Sequence, residues 1–156
     1  MVGVRPFDAV EDRAWRALVH VADLLPRHLD NEMEDARRIS VKEFAILLHL
    51  SESDDSTLRM SKLASDVGLS PSRTTRVIET LRRRGWIEKT PDSTDGRATT
   101  VAITATGREQ VGPAYDVQVE GARRILFDHI SREDAQQLAR ILRRLSITLA
   151  REDRFD

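Results

Sequence analysis

Apolar residues recur at three- and four-residue spacing near the start of the chain, at Ala14, Trp15, Leu18, Val19, Ala22, Leu25 and Leu29. That period puts them on one face of a helix, predicting a long amphipathic helix from about Ala9 to Glu34. Pro26 has no N–H to give the ladder and should kink or interrupt it. Ser40 with Glu43 forms a capping box and opens a second helix through Phe44, Leu47, Leu48 and Leu50. The polar run Ser51–Ser56 reads as a loop, and Thr57-Leu58-Arg59 as a short strand lying against a later hairpin.

The middle of the chain changes rhythm. A short helix, Ser61 to Val67, breaks at Gly68, and Ser70-Pro71 starts another. The Ser hydroxyl accepts an orphan N–H there, and Pro suits the first helical position, where no N–H is needed. The second helix stops at Arg82-Arg83-Arg84-Gly85, with cations at the negative end of the dipole and a Gly free to turn left-handed. Two β-like runs follow, Trp86–Lys89 and Thr99–Ile103, joined by a polar loop with Asp95-Gly96-Arg97. A tight helical pair followed by a hairpin is a winged helix-turn-helix, a shape that reads DNA.

Beyond the hairpin, Thr104 caps a helix expected to run to about Ile130, with Val111, Ala114, Tyr115, Ala122, Ile125 and Leu126 on its apolar stripe. Gly112-Pro113 should perturb its first turns. Ser131 and Asp134 form a capping box for a last helix with Ala135, Leu138, Ile141, Leu142, Leu145 and Leu149 on one side. The expected fold is mostly α with a small antiparallel β wing, a winged helix-turn-helix flanked by long dimerisation helices. The expected divisions are N-terminal helices over 9–56, the DNA-binding lobe over 57–104 and C-terminal dimerisation helices over 105–151. The outer helices carry stripes too large for the central lobe to cover, which predicts a two-fold homodimer with paired recognition helices facing a palindromic site.

Charge sharpens this picture. The 156 residues carry a net charge of −1, but Leu58 to Arg108 hold ten Lys/Arg against five Asp/Glu. A basic lobe in an otherwise acidic chain favours phosphate contact by that lobe alone. On the helix from Pro71, Val77, Ile78 and Leu81 face inward and leave Ser72, Arg73, Thr75 and Arg76 for the major groove. There Arg can grip guanine O6/N7, and hydroxyls suit phosphates or base edges. Ser61 and Ser70 join this candidate DNA face. Arg97 at the hairpin tip suits a narrow minor groove, whereas dipole capping and general electrostatics account for Arg82, Arg83 and Arg84.

The chain has no cysteine, which excludes disulfides, Cys-ligated zinc and thiol redox sensing. His20, His28, His49 and His129 lack metal-ligand spacing, so no metal or cofactor is expected. No nucleophile–base arrangement or Gly-rich phosphate loop stands out, so an enzyme is not expected. No apolar run is long enough to span a bilayer, and Met1-Val-Gly-Val has no signal-peptide pattern, so no membrane partner and a cytoplasmic location are expected. The rival reading is a winged-helix protein-interaction module that does not bind DNA specifically.

Leu63-Ala64, Gly68-Leu69-Ser70, Thr75-Arg76, Leu81, Arg84-Gly85-Trp86-Ile87, Asp92, Asp95-Gly96-Arg97, Val101, Ile103-Thr104 and Gly107 together resemble the MarR (multiple antibiotic resistance regulator) family. The resemblance spans nearly the whole chain and is most specific in the wing. It implies a ligand-responsive transcription regulator, most often a repressor, in which Asp95 holds Arg97 in place. It also implies an effector pocket, often for aromatic or phenolic acids, where the dimer helices meet the DNA lobe. Trp15, Arg16, His28, Phe44 and Tyr115 are the candidates for that pocket, although plain core packing is a competing role for the aromatic ones. Where the family often carries doubly charged residues before the wing's Asp-Gly, this chain has Ser93-Thr94, which softens phosphate contact at the tip.

Overall fold

The computed structural model describes residues 3–91 and 99–152, the side chains of the last three excepted. Six α-helices and three strands succeed one another among them as α1 (Ala9–Arg37), α2 (Val41–Glu52), β1 (Thr57–Arg59), α3 (Met60–Asp66), α4 (Pro71–Arg83), β2 (Ile87–Pro91), β3 (Thr99–Ile103), α5 (Ala105–Ala122) and α6 (Arg132–Glu152). The chain divides into two compact units, residues 1–118 and 119–156.

The first unit begins with Asp8, whose carboxylate accepts the N–H groups of Val10 and Glu11, while Glu11 returns a bond to the Asp8 N–H. This capping box starts α1, which continues three residues beyond the expected end. Pro26 lies inside it. Proline withholds one donor, yet the turns on either side carry the helix through, so the expected interruption does not occur. Arg38 then takes a left-handed conformation (φ 55°) and its N–H closes on Glu34 O. The Val41 N–H reaches back 2.7 Å to Asp30 Oδ1, fixing the corner between α1 and α2. The Ser40–Glu43 capping box forms as its sequence predicts.

The three strands form one antiparallel sheet in the order β1-β3-β2. Thr57 pairs with Ala102 and Arg59 with Thr100, while Ile87 pairs with Ile103 and Pro91 with Thr99. The register sends Val101 and Ile103 inward, where they join a core built from Met33, Ile39, Phe44, Ile46, Leu47, Leu50, Leu63, Ile78, Leu81 and Ile87. The core therefore takes side chains from the end of α1, from α2 to α4 and from the sheet. The wing and the helix-turn-helix are two sides of one packed body. Trp15, Leu18 and Val19, by contrast, are exposed along α1.

The second unit contains the last turn of α5, a π-helical turn at Arg123–Phe127 and α6. The expected α-helix to Ile130 thus stops early. The chain widens by one residue per turn, with the Asp128 N–H bonding Arg123 O at 2.9 Å, and exits through the His129 N–H to Leu126 O. Ser131 opens α6, and its hydroxyl and N–H both donate to Asp134 Oδ2, at 2.6 and 3.1 Å. These bonds, the hydroxyl's first, hold the Asp134 carboxyl below the usual range. A folded-state pKa below the unfolded one contributes stability that is present above the unfolded value and is lost as pH falls through the folded one. Ser131→Ala, which keeps the N–H bond, should raise the Asp134 titration toward the ordinary aspartate range by NMR, and an unmoved curve would refute the hydroxyl's part in the shift. No helix among the described residues is long and apolar enough to cross a membrane.

Candidate nucleic-acid interface

α3 and α4 meet through the four residues Val67 to Ser70. Gly68 (φ 62°) supplies the left-handed step, and the Leu69 N–H returns to Ala64 O at 3.0 Å. Ser70 caps α4 with Oγ accepting the Arg73 N–H at 3.4 Å, and Pro71 occupies the first helical position. The inner face of α4 carries Thr74, Ile78 and Leu81, all fully buried. Thr74 escapes a reading based on apolar period alone. Its hydroxyl is satisfied by Ser70 O at 3.0 Å, so it fills a core position without leaving a buried polar atom orphaned.

The opposite face of α4 presents Ser72, Arg73, Thr75 and Arg76, all exposed. The Thr75 hydroxyl donates to Pro71 O at 3.0 Å and keeps its acceptor side outward. Ser61 is exposed on α3, next to Lys62, which pairs with Asp66 at 2.9 Å. Ser70 is exposed but committed to its cap. Asp95 and Arg97 lie outside the described residues.

The cations of α4 divide sharply along its length. At its end, Arg82 pairs with Glu79 at 2.6 Å, and the hydrogen bond from Arg82 leads the effects that hold the Glu79 carboxyl low. Arg83 donates to Glu79 O at 3.4 Å and to Thr80 Oγ1 at 3.3 Å. Arg84 donates to Arg38 O at 2.6 Å and lies over the Trp86 ring. Arg82 and Arg83 close off the helix end, as dipole and cap considerations predict, while Arg84 reaches the end of α1. Among the described residues, neither Arg73 nor Arg76 is held in an ion pair. The free cations are thus at the end that a helix-turn-helix offers to a groove.

The five effector candidates are not gathered in one place. Phe44 is 1% exposed and belongs to the core, while Trp15 is 54% exposed and sits beside Phe7. Arg16 pairs with Asp12 at 2.8 Å. His28 is exposed on the same helix as Trp15, thirteen positions on. At 1.5 Å per residue that is about 20 Å along the axis, so one small ring does not touch both within a chain. Tyr115 is exposed on α5.

Sequence reasoning missed the pair formed by Glu43 and Arg84, 3.7 Å apart. The signal available was only that Glu43 sits at the third position of a capping box. Nothing local ties it to a residue forty-one positions away.

Known proteins share this fold. Residues 39–99 match the model of the MarR family. Transcriptional repressor MprA of Escherichia coli (strain K12) is 28% identical over 126 residues, which cover 81% of this chain and 69% of that protein. The crystal structure of Sco3205, a MarR family transcriptional regulator from Streptomyces coelicolor in complex with DNA, superposes with a TM-score of 0.87 at 26% identity, covering 94% of this chain and 91% of that one. AbsC, a MarR family transcriptional regulator from the same organism, gives 0.85 at 26% identity over 94% and 98%. Residues 39–99 are therefore a MarR family domain, and the chain is a homologue of MarR-type transcriptional repressors, regulators that are not enzymes.

Proposed function

We propose that this chain is a sequence-specific double-stranded DNA-binding repressor, acting as a homodimer on a palindromic operator and released by a small aromatic or phenolic acid. The carrying observation is the division of cations on α4. Arg82, Arg83 and Arg84 are consumed within the chain, whereas Arg73 and Arg76 stand exposed beside Ser72 and Thr75. Exposed guanidiniums on the leading half of a recognition helix are placed to meet base edges and phosphates. Arg97, which the resemblance assigns to the wing tip, adds a minor-groove contact, with Asp95 as its holder. Similarity to a repressor and to a regulator solved on DNA supports the same reading. The exposed rings of Trp15 and Tyr115 support an aromatic effector, and dimer geometry gives it a lever, since spacing between recognition helices decides whether both grooves are met.

The test is a gel shift on DNA flanking the chain's own gene at two salt concentrations. Arg76→Ala should cost on the order of 1–3 kcal/mol and relax base preference. Arg97→Ala should weaken chiefly those sites with A·T-rich flanks. Salicylate and related aromatic carboxylates, added to the same assay, should release the wild-type complex. If both variants bind as tightly as wild type, the docking is wrong. If wild type shows no salt-dependent binding at all, the protein-interaction reading replaces it.

A further inference from the structure

Four groups meet where the end of α4 reaches the corner between α1 and α2. Glu43 is 7% exposed, and its Oε2 accepts the Ser40 N–H at 2.8 Å while lying 3.7 Å from Arg84 Nη1. The same Nη1 donates at 2.6 Å to Arg38 O, the carbonyl of the left-handed residue that ends α1. The Arg84 guanidinium carbon stands 5.0 Å from the centre of the Trp86 ring. Trp86 is fastened in turn, its N–H to Leu81 O at 3.1 Å and its carbonyl to the Thr104 N–H at 3.0 Å. One planar cation therefore joins the last turn of α4, the α1–α2 corner and the first residue of the wing. Its partners Arg38 and Glu43 belong to other elements, so dipole capping of α4 does not account for them.

We infer that Arg84 is a positioning residue for DNA reading, a clamp that sets the angle of the recognition helix against the α1–α2 corner. The inference rests on the proposed DNA function, but the clamp itself is testable without DNA. A guanidinium can donate in its plane to Arg38 O and stay paired with the Glu43 carboxylate while its face covers an indole. An ammonium is a point charge and cannot do both. Arg84→Lys should therefore behave like Arg84→Gln and not like wild type.

The chain has no cysteine, so Asp35→Cys and Ser72→Cys, both at exposed positions, accept spin labels cleanly. Pulsed electron resonance on labelled chain diluted with unlabelled chain reads the distance from the end of α1 to the start of α4. We expect a narrow distribution that broadens in both Arg84→Lys and Arg84→Gln, with cooperative unfolding retained. On unlabelled protein, operator affinity should fall about 3- to 30-fold in each, the range of mutations that act through a packed network. The slope of affinity against salt should stay unchanged, because no phosphate contact is lost. An unaltered distance distribution overturns the clamp. Broadening with undiminished affinity overturns its role in DNA reading, and a slope reduced by about 0.9 would mark Arg84 as a phosphate ligand instead. If wild type binds no DNA while the variants still broaden, the clamp stands and the proposed function falls. Should Arg84→Gln fail to fold, Glu43→Gln, which keeps an acceptor for the Ser40 N–H, must broaden the same distribution or the clamp is refuted.

Discussion

Gly107→Ala is expected to destabilise the first unit by roughly 1–3 kcal/mol, the usual cost of forcing added atoms into a packed site, or more if α5 cannot move. A Cβ at Gly107 would stand 2.1 Å from Trp86 O and 2.9 Å from Trp86 C. The obstacle is backbone, and it is fastened on both sides, by the Trp86 N–H to Leu81 O and by the Thr104 N–H to Trp86 O. Gly107 is also held by its own N–H, which donates to Thr104 Oγ1 at 3.0 Å. The start of α5 must therefore lift from the base of the wing. Gly112→Ala is the matched control, since a Cβ there meets nothing within 4 Å. It should stay within about 1 kcal/mol of wild type, as the helix preference of Ala opposes crowding by the following Pro113. Urea unfolding followed by circular dichroism compares the two, and equal midpoints would show that α5 yields freely.

What the sequence discloses is mostly local. Caps at Ser40, Ser70 and Ser131 depend on side chains within three residues of the helix they start, and all three form. The apolar period on α4 places Ile78 and Leu81 correctly, and β1 lies against the hairpin as expected. Period says nothing of Thr74, because its hydroxyl is satisfied by the helix's own backbone. Of the kink or break expected at Pro26, the break does not occur, since a single missing donor does not stop a long helix whose other turns are intact. The π-turn after Ala122 has no marker in residue type. The Glu43–Arg84–Trp86 cluster is invisible for a different reason, because it exists only once two distant segments fold together. The effector candidates mix one core ring, Phe44, with side chains spread along an exposed helix, since sequence pattern separates neither burial from exposure for aromatics nor one helix turn from the next.

Leu142→Glu combined with Leu145→Glu is expected to produce a monomer that no longer holds its operator, although neither residue belongs to the helix-turn-helix. Leu142 is 44% exposed and Leu145 41%, on a face of α6 that also exposes Ile141 and Leu149. Charged residues crowd the rest of that helix, with Arg140, Arg143 and Arg144 between the apolar positions. A stripe of that size is a contact surface in search of a partner, and in the proposed function the partner is a second copy of the chain. Fully burying a leucine stabilises by about 1.5–3 kcal/mol. Roughly two-fifths of that is still to be gained at each of the four leucines that a two-fold dimer of the variant exchanges, so their loss weakens the dimer by about 10²- to 10³-fold at 1.4 kcal/mol per decade. Each carboxylate adds a desolvation cost to that. Since a lone chain offers one recognition helix where a palindrome has two half-sites about 34 Å apart, operator affinity should collapse with the dimer. Sedimentation velocity at micromolar concentration reads the first effect and a gel shift the second. Circular dichroism should keep its helical signal, because the exchanged side chains leave the core from Met33 to Ile103 untouched. A variant that stays dimeric would remove α6 from the interface, and a wild type that sediments as a monomer would remove the palindromic reading as well.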